Sequence, residues 1–314
     1  MHEDLKRGKM KLHLLFFYAL LSLSLSHHIL LVHNIGTKSH LIVMKPVVEE
    51  LLNRGHKVTS VIFHPFKLDH ENHTEILVTS RMDRLFTDAT KKLLAKGGSN
   101  PMNPLNWFPF YRFLKENMKD LALDMFEADE LRKMVKERTK VDTVMTLYPG
   151  NAIFAEIFDC PIVIFSPVGP ISMLTAGSTN IINHSVQPAA HSAPFIEPMS
   201  FKERLQNHFS VFRTTLFTNW QTDSMYEYHK EFLEEELGVE VKDPHVTLKE
   251  KVALVLAASH PVTHGAWQYT RNIIEVSFSK IFWKSLNKHG GMRKFWVALN
   301  LRESKDSFVS FICS

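Results

Sequence analysis

The stretch that decides the fold runs from residue 29 to residue 63 and reads ILLVHNIGTKSHLIVMKPVVEELLNRGHKVTSVIF. Residues 29–33 form a short, mainly apolar run, which is typical of a strand buried on both faces of a parallel sheet. Residues 57–63, KVTSVIF, are the next predicted strand. Between them, apolar residues recur at helical spacing, and Gly55 follows as a helix C-cap. This order predicts a βαβ unit with a right-handed crossover. Pro46 lies inside the helical pattern, so it either begins the regular helix or kinks it.

Strand and helix patterns continue to alternate up to residue 276, which predicts an α/β fold. The predicted strands after the first unit are 141–147, 162–165, 252–257 and 273–276. Helices are expected over 81–97, 111–139, 152–158, 201–217 and 223–237, with a Pro-rich loop over 187–200. The helix over 201–217 is basic and amphipathic, and the one over 223–237 is acidic.

Composition excludes several classes of protein. The chain has 314 residues, 45% of them apolar, with 37 basic and 33 acidic side chains and a formal net charge of +4. This balance is that of a globular protein, and 12 glycines are too few for a collagen-like chain. Without an evident basic patch, no nucleic-acid partner is expected. Two cysteines, Cys160 and Cys313, cannot form a disulfide framework.

Residues 1–26 have the layout of a secretory signal peptide. Basic residues precede an apolar run over 12–25, which ends in small residues up to Ser26. This run is shorter than the roughly 20 residues that span a bilayer, so no transmembrane helix is expected. We therefore expect the mature chain in the endoplasmic reticulum lumen or secreted. The sequons at Asn72 and Asn183 are then candidate glycosylation sites.

His40 is the candidate catalytic residue. In an open parallel sheet, ligands bind at the carboxyl ends of the strands, where loops lead into helix N-termini. His40 follows the first such loop. A helix N-terminus lowers the pKa of a histidine and so favours the neutral form that accepts a proton. The alternative is that His40 only caps the helix and faces water.

Several segments, in order, resemble the animal UDP-glycosyltransferases of the glucuronosyltransferase-like type. The first is residues 38–59, with Lys38-Ser39-His40 and Glu49-Glu50-Leu51-Leu52-Asn53-Arg54-Gly55-His56. The others are 141–144, 155–163, 199–204, 255–260 and 272–276. The resemblance thus covers residues 28–276.

The resemblance implies a GT-B glycosyltransferase with two facing Rossmann-like domains, of which residues 27–276 are the N-terminal, acceptor-binding one. A small lipophilic acceptor is then held mainly by this domain, and a UDP-sugar, as co-substrate, mainly by the second. No other cofactor is implied. The family histidine that matches His40 is the general base of an inverting hexosyl or glucuronosyl transfer.

Two departures from the family bear on activity. The acidic residue that pairs with the family histidine is matched by Leu147, while Asp142 is expected at the wrong end of its strand. Losing an orienting carboxylate weakens a histidine base. The likeness also stops at Val276, so we expect the donor domain to be missing and residues 277–314 to be a poorly ordered basic, aromatic tail.

One rival function remains open, a catalytically inactive lipophile-binding module or regulatory partner that forms hetero- or homo-oligomers with full-length relatives. No metal site is expected, because the spacing of the histidines at positions 27, 28, 64, 70 and 73 fits no fixed ligand pattern.

Overall fold

The computed structural model describes residues 26–34, 38–79, 107–166, 198–257 and 273–275. All of them belong to one compact unit that ends at Val276. The signal-peptide segment before Ser26, the expected helix over 81–97, the Pro-rich loop up to residue 197 and the tail from Ser277 lie outside the described residues.

The described elements alternate between strands and helices, as expected of an α/β fold. The strands are β1 (His28–His33), β2 (Lys57–Ile62), β3 (His73–Leu77), β4 (Thr143–Thr146), β5 (Ile162–Ser166), β6 (Val252–Ala257) and β7 (Ile273–Glu275). The α-helices are α1 (Lys38–Asn53), α2 (Trp107–Leu123), α3 (Asp129–Lys136), α4 (Ile153–Ile157), α5 (Phe201–Leu237) and α6 (Pro244–Lys251). Short 3-10 turns cover Asp124–Glu127 and Pro149–Ala152.

The seven strands form one sheet in the order β3-β2-β1-β4-β5-β6-β7, and every neighbouring pair is parallel. β1 is therefore central, paired with β2 on one side and β4 on the other. The register places His33 opposite Ile62 and Val32 opposite Thr146. The predicted Rossmann-like parallel sheet is confirmed.

Two apolar cores lie on the two faces of this sheet. Side chains alternate along a strand, so Leu30 and Val32 of β1 enter one core, while Ile29 and Leu31 enter the other. α1 covers the second face with a stripe at helical spacing: Leu41, Met44, Val48 and Leu52. The first face is covered by residues of α3, α4, α5 and α6. Helices on both faces explain why β1 and β2 are buried along almost their whole length.

The first βαβ unit forms as predicted, with one correction at Pro46. α1 begins at Lys38, eight residues before Pro46, so Pro46 does not begin the helix. Gly55 adopts φ 83° directly after α1, a conformation in which a Cβ is strained. Its backbone N–H donates to Leu52 O at 2.9 Å, and the next N–H, of His56, donates to Leu51 O at 3.1 Å. Gly55 is therefore the predicted C-cap.

Other boundaries differ from the sequence-based expectation. The two helices expected over 201–217 and 223–237 are one helix, α5, because the intervening residues carry no breaker. The helical region expected over 111–139 is divided into α2, a 3-10 turn and α3. β3 and α6 were not predicted, since a five-residue polar strand and a charged eight-residue helix carry weak apolar patterns.

α5 has strong local signals at both ends. Ser200 and Glu203 form a capping box, in which the Ser200 N–H donates to Glu203 Oε2 at 2.7 Å. Gly238 ends the helix at φ 64°. The helix is 37 residues long, but neither it nor any other helix of the described residues is apolar enough over a sufficient length to cross a membrane.

Glu156 of α4 joins three segments on the α5 side of the sheet. Its carboxylate accepts hydrogen bonds from the Tyr226 hydroxyl of α5, the Lys242 N–H before α6 and the Thr247 hydroxyl of α6. Nearby, α5 approaches the Pro149–Ala152 turn so closely that a Cβ on Gly150 would lie 2.9 Å from Met225 Cβ. These contacts hold the turn after β4 against α5.

We predict that Glu156→Gln lowers the free energy of unfolding by about 2 kcal/mol, because the amide replaces a charged acceptor of three hydrogen bonds. Urea denaturation at pH 7 measures the change. Glu250→Gln, an exposed site on α6, is the matched control and is expected to change stability by less than about 0.5 kcal/mol. Equal effects of the two substitutions would contradict the role of Glu156.

Candidate functional site

The sheet has a topological switch point between β1 and β4. From β1 the chain proceeds outward to β2 and β3, whereas β4 begins the sequence of strands on the other side. Loops that leave the carboxyl ends of β1 and β4 therefore diverge and leave a crevice, which is where open α/β sheets bind ligands. His33, Asn34 and Thr146 lie at this edge.

His40 lies in the first turn of α1, beside this crevice. Its side chain is partly buried, and its ring centroid is 6.1 Å from that of His33 at the end of β1. The positive end of the α1 dipole disfavours an imidazolium at this position. The structure thus places the sequence-predicted histidine at the carboxyl edge of the sheet, with a second imidazole beside it.

His33 is fully buried at the end of β1. Its ring stacks on the Tyr148 ring, with the two ring centroids 6.2 Å apart. The Phe63 ring is tilted against it, with a centroid distance of 5.7 Å. Within the described part of the chain, neither ring nitrogen has a hydrogen-bond partner. Burial, with a smaller contribution from nearby His40, lowers the pKa of His33 to about 3. His33 is therefore neutral at physiological pH.

A buried polar network crosses the switch point next to His33, beginning at Asn34. Asn151 Nδ2 donates to Asn34 Oδ1 at 3.0 Å and to Thr146 Oγ1 at 3.1 Å. The Tyr148 N–H also donates to Thr146 Oγ1, at 3.2 Å. Asn34, Thr146 and Asn151 are buried, and Asn151 Oδ1 has no partner among the described residues. Buried unpaired acceptors are unusual, so this oxygen and the His33 nitrogens mark a polar lining.

Tyr148 connects this network to His33, because its N–H donates to Thr146 Oγ1 and its ring stacks on the His33 ring. Loss of solvation raises the pKa of its hydroxyl, which therefore stays protonated and can donate a hydrogen bond. Sequence reasoning missed His33, Asn34, Tyr148 and Asn151. The signal available for His33 was an imidazole inside an otherwise apolar strand.

Leu147 and Asp142 occupy opposite ends of the β4 region. Leu147 directly follows β4 and is buried in the apolar core, so position 147 supplies an alkyl side chain and no charge. Asp142 precedes β4, and its Oδ2 accepts a hydrogen bond from the His28 N–H at 2.7 Å. This hydrogen bond, together with nearby Lys140 and His27, lowers the pKa of the Asp142 carboxyl. Asp142 therefore lies at the amino edge of the sheet, away from His40.

The remaining predicted site residues lie elsewhere. Asn72 is partly exposed in the turn before β3, whereas Asn183 lies outside the described residues. His73 packs beside Ser60 and Glu75, with its Nε2 3.0 Å from Ser60 Oγ. Across the described ranges, no three His, Cys, Asp or Glu side chains come together as a metal site.

We predict that His33 makes the protein lose stability as the pH falls from about 6.5 to about 3. The unfolded imidazole binds a proton below its ordinary pKa of 6.5, whereas the folded one does so only near 3. At pH 5 this difference costs about 2 kcal/mol. Urea denaturation measures the free energy of unfolding at pH 7 and at pH 5. Between these two pH values, the free energy of unfolding of His33→Phe should fall by about 2 kcal/mol less than that of the wild type.

His229 of α5 is the internal reference for this experiment. It is also fully buried, and burial lowers its pKa to about 4, so it contributes the same kind of pH dependence in both proteins. Identical pH dependence in wild type and His33→Phe would contradict the neutral, buried state of His33.

Comparison with known protein families finds a match that includes the candidate site. Residues 29–261 match the family model described as UDP-glucuronosyl and UDP-glucosyl transferase. This match begins in β1 and includes His40 and the switch point, so it covers the whole candidate site.

Individual relatives are distant in sequence. UDP-glycosyltransferase UGT4 of Dactylopius coccus is 28% identical over 270 residues, which are 81% of this chain and 49% of that protein. UDP-glucuronosyltransferase 2B30 of Macaca fascicularis is 26% identical over 213 residues, which are 62% of this chain and 39% of that protein. UDP-glycosyltransferase UGT5 of Dactylopius coccus is 27% identical over 210 residues, which are 62% of this chain and 38% of that protein.

The chain spans half or less of the length of these curated relatives. The family match nevertheless covers most of the chain, and the parallel sheet carries the predicted histidine at its switch point. The chain therefore belongs to the UDP-glucuronosyl and UDP-glucosyl transferase family.

Proposed function

We propose that residues 27–276 are the acceptor-binding half of an inverting UDP-glycosyltransferase that conjugates small lipophilic hydroxyl compounds. The observation that supports this most is the position of His40 at the carboxyl edge of β1, at the switch point of a sheet of this family. Aromatic rings line the same edge, since His33 contacts both Phe63 and Tyr148. An apolar, partly aromatic surface with a few polar groups suits a lipophilic alcohol or phenol.

In the proposed reaction, His40 accepts the proton of the acceptor hydroxyl. The acceptor oxygen attacks the anomeric carbon of the UDP-sugar from the side opposite UDP. The new C–O bond forms as the bond to UDP breaks, so the configuration at that carbon inverts and UDP leaves as the anion. No further cofactor takes part, because the sugar donor is itself the second substrate.

The chain's own residues affect how strong this base is. The positive end of the α1 dipole destabilises the imidazolium that forms on His40 in the proposed reaction. The carboxylate that the family resemblance implies at position 147 would offset this cost, and Leu147 cannot. Neutral His33 and the Tyr148 hydroxyl are uncharged polar groups on the same edge, as are the side chains of the Asn34, Thr146 and Asn151 network. We therefore expect proton transfer to His40, and with it glycosyl transfer, to be slower than in a relative that has the paired carboxylate.

The test is transfer from UDP-glucose or UDP-glucuronate to a phenolic acceptor by the chain combined with the donor domain of a full-length relative, because the chain alone is not expected to turn over; the conjugate is measured by chromatography. His40→Ala should lower the rate about 10²- to 10⁴-fold, the usual contribution of a general base. His27→Ala is the matched control, because His27 is an exposed histidine before β1, at the opposite edge of the sheet. Its rate is expected to equal that of the wild type.

The result separates the possible roles of His40. Equal rates in wild type and His40→Ala would show that another residue is the base. A wild-type chain that binds the phenol, but forms no conjugate when it is combined with the donor domain of a full-length relative, would overturn the catalytic proposal and favour the alternative below.

The alternative function is a catalytically inactive lipophile-binding protein or a regulatory partner of full-length relatives. Leu147 favours it, because this buried alkyl side chain stands where the family carboxylate is expected. Co-purification of the chain with a full-length UDP-glycosyltransferase, and a change in the rate of that enzyme, would support this alternative. Leu147→Asp distinguishes the two functions, because a gain of transferase activity is expected only if the His40 site is otherwise complete.

We also propose that the protein is glycosylated in the endoplasmic reticulum lumen or secreted. Asn72 is partly exposed in a turn, and Thr74 of the same sequon is exposed, so this sequon is sterically open to modification. We predict that peptide N-glycosidase F increases the electrophoretic mobility of the protein expressed in animal cells, and that Asn72→Gln removes part of this shift. Asn53→Gln, an exposed asparagine outside any sequon, should leave the shift unchanged. A protein insensitive to the glycosidase would contradict the lumenal location.

A further inference from the structure

The first half of α5 exposes a continuous row of large apolar side chains, which we call the α5 stripe. It consists of Phe201, Leu205, Phe209, Phe212 and Leu216, with exposed fractions of 76%, 62%, 65%, 61% and 55%. Spacings of three and four residues place them on one side of the helix, over roughly 22 Å at 1.5 Å per residue. More than half of the exposed large apolar side chains in the described part of the chain belong to this one row.

The opposite side of the same helix segment is buried and largely polar. Asn207, Thr214 and Thr218 are buried there, about half a turn away from the stripe. The threonine hydroxyls donate back to their own helix, Thr214 to Ser210 O and Thr218 to Thr214 O, both at 2.9 Å. A helix that only packs on its own domain buries its apolar face. Here the polarity is inverted, so the α5 stripe faces away from the domain.

Basic side chains flank the α5 stripe on both sides. At 100° per residue, Lys202 and Arg213 lie along one edge of the stripe, and Arg204 and His208 lie along the other. Glu203 is the one acidic residue between 201 and 217, and it lies on the far side, within the capping box. The acidic residues of α5 are instead concentrated after the stripe ends: Asp223, Glu227, Glu231, Glu234, Glu235 and Glu236.

We propose that residues 201–216 bind the surface of a membrane that contains anionic lipid. The α5 stripe enters the boundary between headgroups and acyl chains, while the exposed Lys202 and Arg204 at its two edges contact lipid phosphates. This arrangement, an apolar stripe bordered by basic residues, is the pattern of helices that lie in the membrane interface. The proposal is independent of glycosyl transfer.

A second copy of the chain is a less suitable occupant of this surface. In a two-fold symmetric contact the same patch meets itself, so the basic edges of one stripe would approach those of the other. Like charges at such close range oppose the pairing. An anionic lipid surface complements both basic edges at once.

The experiment uses the full chain and extruded vesicles, with sedimentation of the vesicles and quantification of bound protein. The vesicles are phosphatidylcholine alone or phosphatidylcholine with about one third phosphatidylserine. Wild type should bind the anionic vesicles more tightly than the neutral ones, and salt should weaken this preference. Phe209→Ser/Phe212→Ser should lower binding about tenfold or more, because two large apolar contacts are lost.

Two further variants make the result specific. Leu77→Ser/Val246→Ser removes exposed apolar residues from β3 and α6 and is the matched control, expected to bind like the wild type. Lys202→Gln/Arg204→Gln should weaken binding about fivefold per charge on anionic vesicles and leave binding to neutral vesicles unchanged. Circular dichroism verifies that each variant is folded, which we expect because the substituted side chains are exposed.

Three outcomes would overturn the proposal. The first is that wild type does not bind anionic vesicles. The second is that the stripe variant binds as well as the wild type. The third is that, without lipid, the wild type self-associates in light scattering and the stripe variant is monomeric, since the α5 stripe would then be a protein interface.

Discussion

The parallel pairing of β1 with β2 on one side and β4 on the other is the constraint on which the remaining structure depends. Register in these pairs ends β1, β2 and β4 at nearly the same level, with His33 opposite Ile62 and Val32 opposite Thr146. Because the connections from β1 and β4 go to opposite sides, this shared edge is left open. The placement of His40 and of the asparagine network follows from this geometry.

The open edge carries a free-energy cost that a purely structural sheet would avoid. His33 is buried with no hydrogen bond to the described residues, and Asn151 Oδ1 is in the same condition. An apolar side chain at position 33 would remove a penalty on the order of 1–3 kcal/mol. Unpaired buried polar groups at a ligand-binding edge are consistent with a site that a polar ligand atom completes.

The two halves of α5 differ in the kind of side chain that they bury and expose. Its second half joins the domain through Tyr226, which bonds Glu156, and through His229, whose Nε2 lies 2.9 Å from Ala122 O in α2. Its first half buries threonines and an asparagine and exposes phenylalanines and leucines. The capping box at Ser200 and Glu203 starts the helix independently of apolar burial, which allows the exposed row to persist in a folded chain.

Local patterns in the sequence were sufficient for the βαβ unit, the parallel sheet, the Gly55 cap and the position of His40 at a strand-to-helix loop. Apolar periodicity, glycine conformation and chain direction are properties of neighbouring residues, so they can be read without the fold. The contacts of His33 with Tyr148, and of Asn34 with Asn151, join residues more than 100 positions apart. No local pattern specifies such pairs, and only the side-by-side packing of β1 and β4 brings them together. The same holds for the α5 stripe: the sequence predicts an amphipathic helix, but the tertiary structure decides that its polar side is buried, because the hydroxyl groups on that side are satisfied within the helix itself.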